Sequence, residues 1–126
     1  MPSARNIRVD AIGSKQIVMF DETDIDGTSA LTGSSSTYSI EDFAKFDMMI
    51  TVASYAGTGN ITVSPYPATD ANGTASAVHT TTSGNLSADG YTWKALGEIN
   101  TKYIKFLYTV ASGASATITA TLCAKT

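Results

Sequence analysis

Histidine and cysteine, the side chains best suited to proton transfer and nucleophilic attack near neutral pH, each occur once, as His79 and Cys123. His79 lies in a threonine-rich stretch, and no Ser-His-Asp or Cys-His arrangement can be built without it as the base. One histidine and one cysteine cannot supply a usual zinc site. We therefore predict no catalytic residue, no metal site and no cofactor, and a protein that is not an enzyme. A small hydrolase is the least favoured alternative.

One segment is strongly acidic, Asp21-Glu22-Thr23-Asp24-Ile25-Asp26-Gly27. Its Asp24-x-Asp26-Gly27 portion matches part of a calcium-binding loop. A twelve-residue loop of that type would begin at Glu22 and needs a bidentate carboxylate at its last position, which is Gly33 here. A solvated acidic loop is therefore favoured, and a bound cation remains the alternative.

Aromatic and basic residues supply the candidates for an interface. Aromatic side chains near predicted turns can stack on sugar rings or anchor a protein partner, although they can also pack over the ends of a core. The basic residues give the N-terminal segment a local positive charge, which the acidic loop of a neighbouring subunit could attract. The candidate interface residues are Arg5, Arg8, Lys15, Tyr55, Tyr66, Tyr91 and Trp93.

The composition narrows the class of protein. A chain of 126 residues is expected to form one domain. Its net charge is −3 without a basic stripe, so no nucleic-acid partner is expected. No apolar run is long enough for a membrane span, and the N-terminus lacks the apolar region of a signal peptide. We expect synthesis in a reducing cytoplasm, and the single cysteine excludes an internal disulfide.

Two segments resemble each other, Phe46–Pro65 and Tyr108–Leu122. Both contain the letters TVAS, then a turn of small residues, then an alternating run such as I-T-V. The first turn is Gly57-Thr58-Gly59-Asn60. Each segment is typical of a β-hairpin, and two hairpins in one short chain predict an antiparallel β-sandwich.

Alternation of apolar and polar residues predicts further strands. It also separates two faces in Phe46–Ala53 and in Lys102–Val110, with Met48 and Met49 on opposite faces, and it turns Ile118, Ala120 and Leu122 inward and Thr117, Thr119 and Thr121 outward. The run Asp21–Ser36 has no period and is interpreted as a loop, Glu41–Phe46 as a single helical turn, and Asn72-Gly73 as a type I′ turn. Pro65 and Pro67 are expected to end a strand. The further predicted strands are Gln16–Phe20, Thr37–Ile40, Thr92–Ile99 with a bend at Gly97, Lys102–Val110 and Thr117–Lys125.

These elements predict an all-β fold, an antiparallel β-sandwich or jelly roll with an extended N-terminal segment. Residues 1–36 would form an N-terminal arm and loop, with one or two short strands. Residues 37–126 would form the β-sandwich domain.

The region from Ser39 to Thr126 resembles small β-sandwich virion proteins of tailed bacteriophages, most of all capsid decoration (cement) proteins. The resemblance is carried by Thr51–Pro65, Thr92–Ile99, Lys102–Val110 and Ser115–Thr126. It implies a non-enzymatic structural protein of the virion, made in the host cytoplasm, whose partner is the major capsid protein or another virion protein. Such proteins sit on the assembled shell, commonly as trimers or dimers, and often use an N-terminal arm. The alternative is a tail-associated carbohydrate-binding or receptor-recognition module that uses Trp93 and nearby tyrosines.

Overall fold

A computed structural model describes residues 14–27, 31–74 and 78–126. These residues form eight β-strands. None of them belongs to a helix that could span a membrane. The strands are β1 (Ser14–Gly27), β2 (Leu31–Ser34), β3 (Tyr38–Ser39), β4 (Lys45–Gly57), β5 (Ile61–Ala68), β6 (Gly90–Glu98), β7 (Tyr103–Val110) and β8 (Ala114–Lys125).

The strands form two antiparallel sheets that pack face to face. Sheet A has the order β1-β8-β4-β6. In sheet B the central strand is β7, which pairs with β5 and also with the short strands β2 and β3. Every connection between consecutive strands, except that from β2 to β3, passes from one sheet to the other. This is the connectivity of a jelly roll, and the predicted fold class is confirmed.

The core lies between the sheets because alternate residues of each strand point inward. On β4 the buried positions are Phe46, Met48, Ile50 and Val52, as the alternation predicts. Central strands β7 and β8 contribute side chains that are likewise removed from water. They are Ile104, Phe106, Val110, Ile118, Ala120 and Leu122.

The two predicted hairpins are wrong, although their strands are right. β4 belongs to sheet A and β5 to sheet B, so the turn at Gly57–Asn60 carries the chain across the core. β7 and β8 are likewise in different sheets. Both segments are therefore arches. They lie side by side at one end of the sandwich, where the Thr58 N–H donates to the Gly113 carbonyl (3.1 Å) and the Ala111 N–H to the Asn60 carbonyl (2.9 Å).

The interpretation of 21–36 as a loop is also wrong for most of its length. Residues 21–27 continue β1, which pairs with β8, and residues 31–34 form β2. Register shifts between Val18 and Phe20 and between Phe20 and Thr23 place an irregularity in the middle of β1. Because of these bulges the alternation of β1 is lost, and Met19 and Phe20 are both buried.

Three local expectations are corrected. The strand β5 continues through Pro65 and Pro67, because it pairs with β7 on one side only and an edge strand tolerates residues without an N–H. The segment after β3 is a turn closed by the Phe43 N–H and the Ile40 carbonyl (3.1 Å), not a helical turn. Asn72 has no positive φ, so its turn is not type I′.

Residues 1–13 lie outside the described part of the chain. The predicted extended segment before β1, with Arg5 and Arg8, therefore stays a prediction, as does the division of the chain at residue 36. β1 itself begins at Ser14 and pairs with β8 along its whole length.

Candidate functional site

The outer face of sheet A carries three of the four exposed large apolar side chains of the described residues, namely Val18, Tyr91 and Trp93. The strand registers align Val18 with Thr121, Thr121 with Met49, and Met49 with Trp93. These four side chains, which we call the cross-sheet row, span all strands of the sheet. Val18 is 40% exposed and Trp93 53% exposed, so the row offers apolar surface to a partner.

A second line of side chains follows beside the cross-sheet row. Thr119 is aligned with Thr51, and Thr51 with Tyr91. The Thr119 hydroxyl accepts the N–H of Glu22 (3.1 Å), which ties the bulged part of β1 to β8. Tyr91 is 64% exposed. The face thus combines aromatic and methyl-bearing surface with hydroxyl groups on a rigid sheet, a combination that suits adhesion to another surface.

The structure brings together two of the predicted aromatic residues and separates the others. Tyr91 and Trp93 are on β6 and point to the same side, because they are two residues apart. Tyr55 packs against the core, and its hydroxyl donates to the Gly59 carbonyl inside the arch. Tyr66 is half-buried on β5, which belongs to sheet B, beside Lys105 of β7.

Lys15 is exposed at the beginning of β1, while Arg5 and Arg8 lie outside the described residues. The acidic segment does not form a calcium loop, because Asp24 and Asp26 are on an extended strand paired with β8. A calcium loop must curl around its ion. The Asp24 carboxylate instead accepts the hydroxyl of Thr117 (2.7 Å). Among the described residues no group of three or more His, Cys, Asp or Glu converges on one point.

His79 takes part in the backbone structure of its own loop. Its N–H donates to the Pro65 carbonyl (2.9 Å), and its Nδ1 accepts the N–H of Thr81 (3.0 Å). These bonds hold the loop along the outer edge of β5. The ring is half-buried, and its Nδ1 bond anchors it within the threonine-rich stretch.

At one end of the outer face, Lys125 Nζ donates to Asp47 Oδ2 at 2.8 Å. This hydrogen bond and the charge of Asp47 raise the pKa of Lys125, which is exposed to solvent. Cys123 lies next to this pair and is half-buried. Burial raises the pKa of the Cys123 thiol above its ordinary value, and the Asp47 carboxylate raises it further.

The raised pKa predicts that the Cys123 thiol reacts slowly with alkylating reagents. At neutral pH Cys123 should react with iodoacetamide more slowly than glutathione does, because the thiolate is the reactive form and a raised pKa keeps it scarce until the pH rises through that pKa. Alkylation followed by mass spectrometry across a pH series measures the midpoint. Asp47→Asn should lower that midpoint, and an unchanged midpoint would contradict the electrostatic contribution of Asp47.

Sequence reasoning missed the cross-sheet row as a unit. Alternation correctly turned Thr121 outward and placed Met49 on the face opposite Met48, but it could not show that β8 lies between β1 and β4. Val18 stood in a short apolar run without a visible polar face. The only signal in the sequence was that three predicted strands each contain a large apolar residue, Val18, Met49 or Trp93, that strand order later aligns.

No family model matches the sequence, and no curated protein matches it. Solved structures share the fold. The VP2 subviral particle of infectious bursal disease virus is similar with a TM-score of 0.61 and 11% identity, covering 92% of this chain and 33% of that chain. The T13 particle of the same virus has a TM-score of 0.57 and 10% identity, and the match covers 89% of this chain and 30% of that chain. The chain thus spans about a third of these proteins. A disulfide-linked pilus protein of Bacillus endospore appendages has a TM-score of 0.50 and 12% identity, covering 90% and 86%. At these identities the likeness establishes the fold that this chain shares with a viral capsid protein.

Proposed function

We propose that this protein is a non-enzymatic structural protein of a virus particle, and more specifically a capsid decoration protein that binds the assembled head of a tailed phage. The observation that carries the proposal is the cross-sheet row on the outer face of sheet A. A rigid sheet with exposed Trp93 and Val18 favours binding to a surface over the conversion of a substrate.

The fold supports the proposal. The jelly-roll likeness covers 92% of this chain, and the similar chain is a protein of a subviral particle. The chemistry of the described residues agrees with a binding role, since the Nδ1 atom of the single histidine is engaged by the Thr81 N–H of its own loop. A binding protein of this kind needs a surface that is complementary in shape to its partner and makes apolar contacts with it, and it does not need acid and base groups.

The proposed mechanism is thermodynamic. A protein that binds the assembled lattice, and not its free subunits, stabilises the lattice by mass action. Copies joined in a dimer or trimer add avidity, because one docked subunit raises the effective concentration of the next. In this proposal the residues before β1, with Arg5 and Arg8, serve as an arm that reaches a neighbouring capsomer. Lys15 lies at the start of β1, next to this arm.

The test is co-sedimentation with assembled capsids of the virus that encodes the chain. The wild-type protein should pellet with capsids and remain in solution with free capsid subunits. Thr121→Glu places a charge in the centre of the cross-sheet row and should weaken binding at least tenfold, which corresponds to about 1.4 kcal/mol, since a charge would be buried without a partner.

The matched control is Thr109→Glu, which adds the same charge to an exposed threonine on the outer face of sheet B. It should leave binding unchanged, and circular dichroism should show the same β-sheet signal for both variants. Equal loss of binding in the two variants would contradict the assignment to sheet A. Failure of the wild-type protein to bind capsids would contradict the decoration role itself.

The exposed pair Tyr91 and Trp93 favours a second candidate, a tail-associated module that binds carbohydrate. Side chains two residues apart on one strand are about 7 Å apart, so two rings can stack on neighbouring sugar units. A glycan array should then give a signal that Trp93→Ala abolishes. Competition by free sugars would also release the protein from its target, whereas a decoration protein would stay bound.

A further inference from the structure

Among the described residues, the sheets end in strands that differ in how well they could pair with another chain. An unpaired edge strand invites association, and proteins usually blunt such edges with bulges, charges, prolines or covering segments. β1 contains two register shifts and carries the exposed acidic residues Asp21, Glu22 and Asp24. β2 and β3 are only four and two residues long.

The edge of β5 is protected from pairing with another strand in a different way. It contains Pro65 and Pro67, and the segment 79–86 covers its free side. The Ser83 N–H donates to the Val63 carbonyl (2.9 Å) and the Val63 N–H to Ser83 Oγ (2.9 Å), while Leu86 and Ile61 exchange two backbone hydrogen bonds.

β6 differs from these edges. From Ala95 to Gly90 it pairs with β4 in unbroken register, and among residues 14–27, 31–74 and 78–126 it has no strand partner on its other side. This stretch contains no proline. It also bears Tyr91 and Trp93, which are 64% and 53% exposed. The regular, aromatic-bearing edge is the one that suits strand addition.

We propose that two copies of this chain associate through β6, in antiparallel fashion about a twofold axis at Thr92, to form one continuous sheet from both copies of sheet A. The inference concerns the strand edge and does not depend on the proposed capsid partner. A twofold axis requires each strand to be complementary to itself, and the sequence of β6 meets that condition.

The register about Thr92 pairs Tyr91 of each copy with Trp93 of the other. Aromatic pairs directly opposite each other on antiparallel strands stabilise a sheet. The same register places Lys94 of each copy opposite Gly90 of the other, so that no like-charged side chains are aligned between Gly90 and Ala95.

The contact is small, which sets its expected strength. A buried aromatic side chain contributes about 150–250 Å², so the four partly exposed rings and the backbone strip bury less than the roughly 1,200 Å² of a standard interface. We therefore expect a reversible, concentration-dependent dimer in solution, and tighter pairing where a lattice holds neighbouring copies close together.

Cysteine cross-linking in a Cys123→Ala background tests the register. Thr92→Cys should form a covalent dimer on mild oxidation at about 100 μM protein, because residues opposite each other across the axis have Cα atoms about 4.5–5.5 Å apart. Lys94→Cys is the matched control. Its two copies would be about 14 Å apart, too far for a disulfide.

Sedimentation velocity tests the association without cross-linking. Trp93→Lys should raise the dissociation constant at least tenfold, whereas Val18→Lys, on the opposite edge of sheet A, should leave it unchanged. A wild-type protein that stays monomeric at about 100 μM would overturn the inference. So would a dimer that Lys94→Cys traps as well as Thr92→Cys.

Discussion

Gly57→Ala should lower the free energy of unfolding by about 3 kcal/mol or more, because it combines overpacking with an unfavourable backbone conformation. Gly57 has φ of +104°. A Cβ at this position would lie 1.7 Å from the Gly113 carbonyl oxygen. That oxygen cannot withdraw easily, since it accepts the Thr58 N–H, and the Gly113 N–H donates to the Gly27 carbonyl (2.8 Å). Urea unfolding followed by circular dichroism measures the loss.

Gly84→Ala is the matched control for this prediction. Gly84 also has a positive φ, +72°, but nothing lies within 4 Å of the position a Cβ would take. The Gly84→Ala variant should therefore lower the free energy of unfolding only by the cost of the unfavourable backbone conformation, about 1–2 kcal/mol. Equal losses in the two variants would mean that the close approach of the two arches contributes nothing to stability.

Phe106→Ala should lower the free energy of unfolding by about 3–5 kcal/mol, because it leaves a cavity in the middle of the core. Phe106 is fully buried on β7, the central strand of sheet B. Its backbone bonds to Ser35, which extend the ladder past the end of β2, do not depend on the side chain. Most domains have only about 5–15 kcal/mol of stability, so a large share would be lost.

Leu107→Ala provides the comparison on the same strand. Leu107 points to the outer face of sheet B and is half-buried, so its truncation should lower the free energy of unfolding by about 1 kcal/mol. Phe106→Leu should lie between the two, because it keeps much of the buried volume. A Phe106→Ala protein as stable as Leu107→Ala would contradict the assignment of Phe106 to the core.

Alternation predicted from the sequence which residues of β4, β7 and β8 share a face, and for β8 also which face is buried, because every second residue of a regular strand points to the same side whichever strand lies beside it. It failed on β1. There, bulges place Met19 and Phe20 on the same buried side, and the outward carboxylates of Asp24 and Asp26 look like those of a loop. Each bulge adds a residue to one strand only, so the period changes at positions that the sequence does not mark.

Only part of the candidate site was predictable from the sequence. Tyr91 and Trp93 were named as interface candidates, and they are exposed together on β6. Tyr55 and Tyr66 had the same turn-side setting in the sequence. The arch draws Tyr55 onto the core, and the passage from β4 to β5 moves Tyr66 to the other sheet.

The sequence by itself determined that the chain is all β and which side chains of its regular strands share a face, because these properties follow from local period and residue type. Only the tertiary structure decided which strands are neighbours. A turn such as Gly57–Asn60 is compatible with a hairpin and with an arch, and the choice depends on contacts with Ala111 and Gly113, which are distant in the chain. The cross-sheet row and the free edge of β6 arise from that choice, since both are properties of strand order rather than of any one segment.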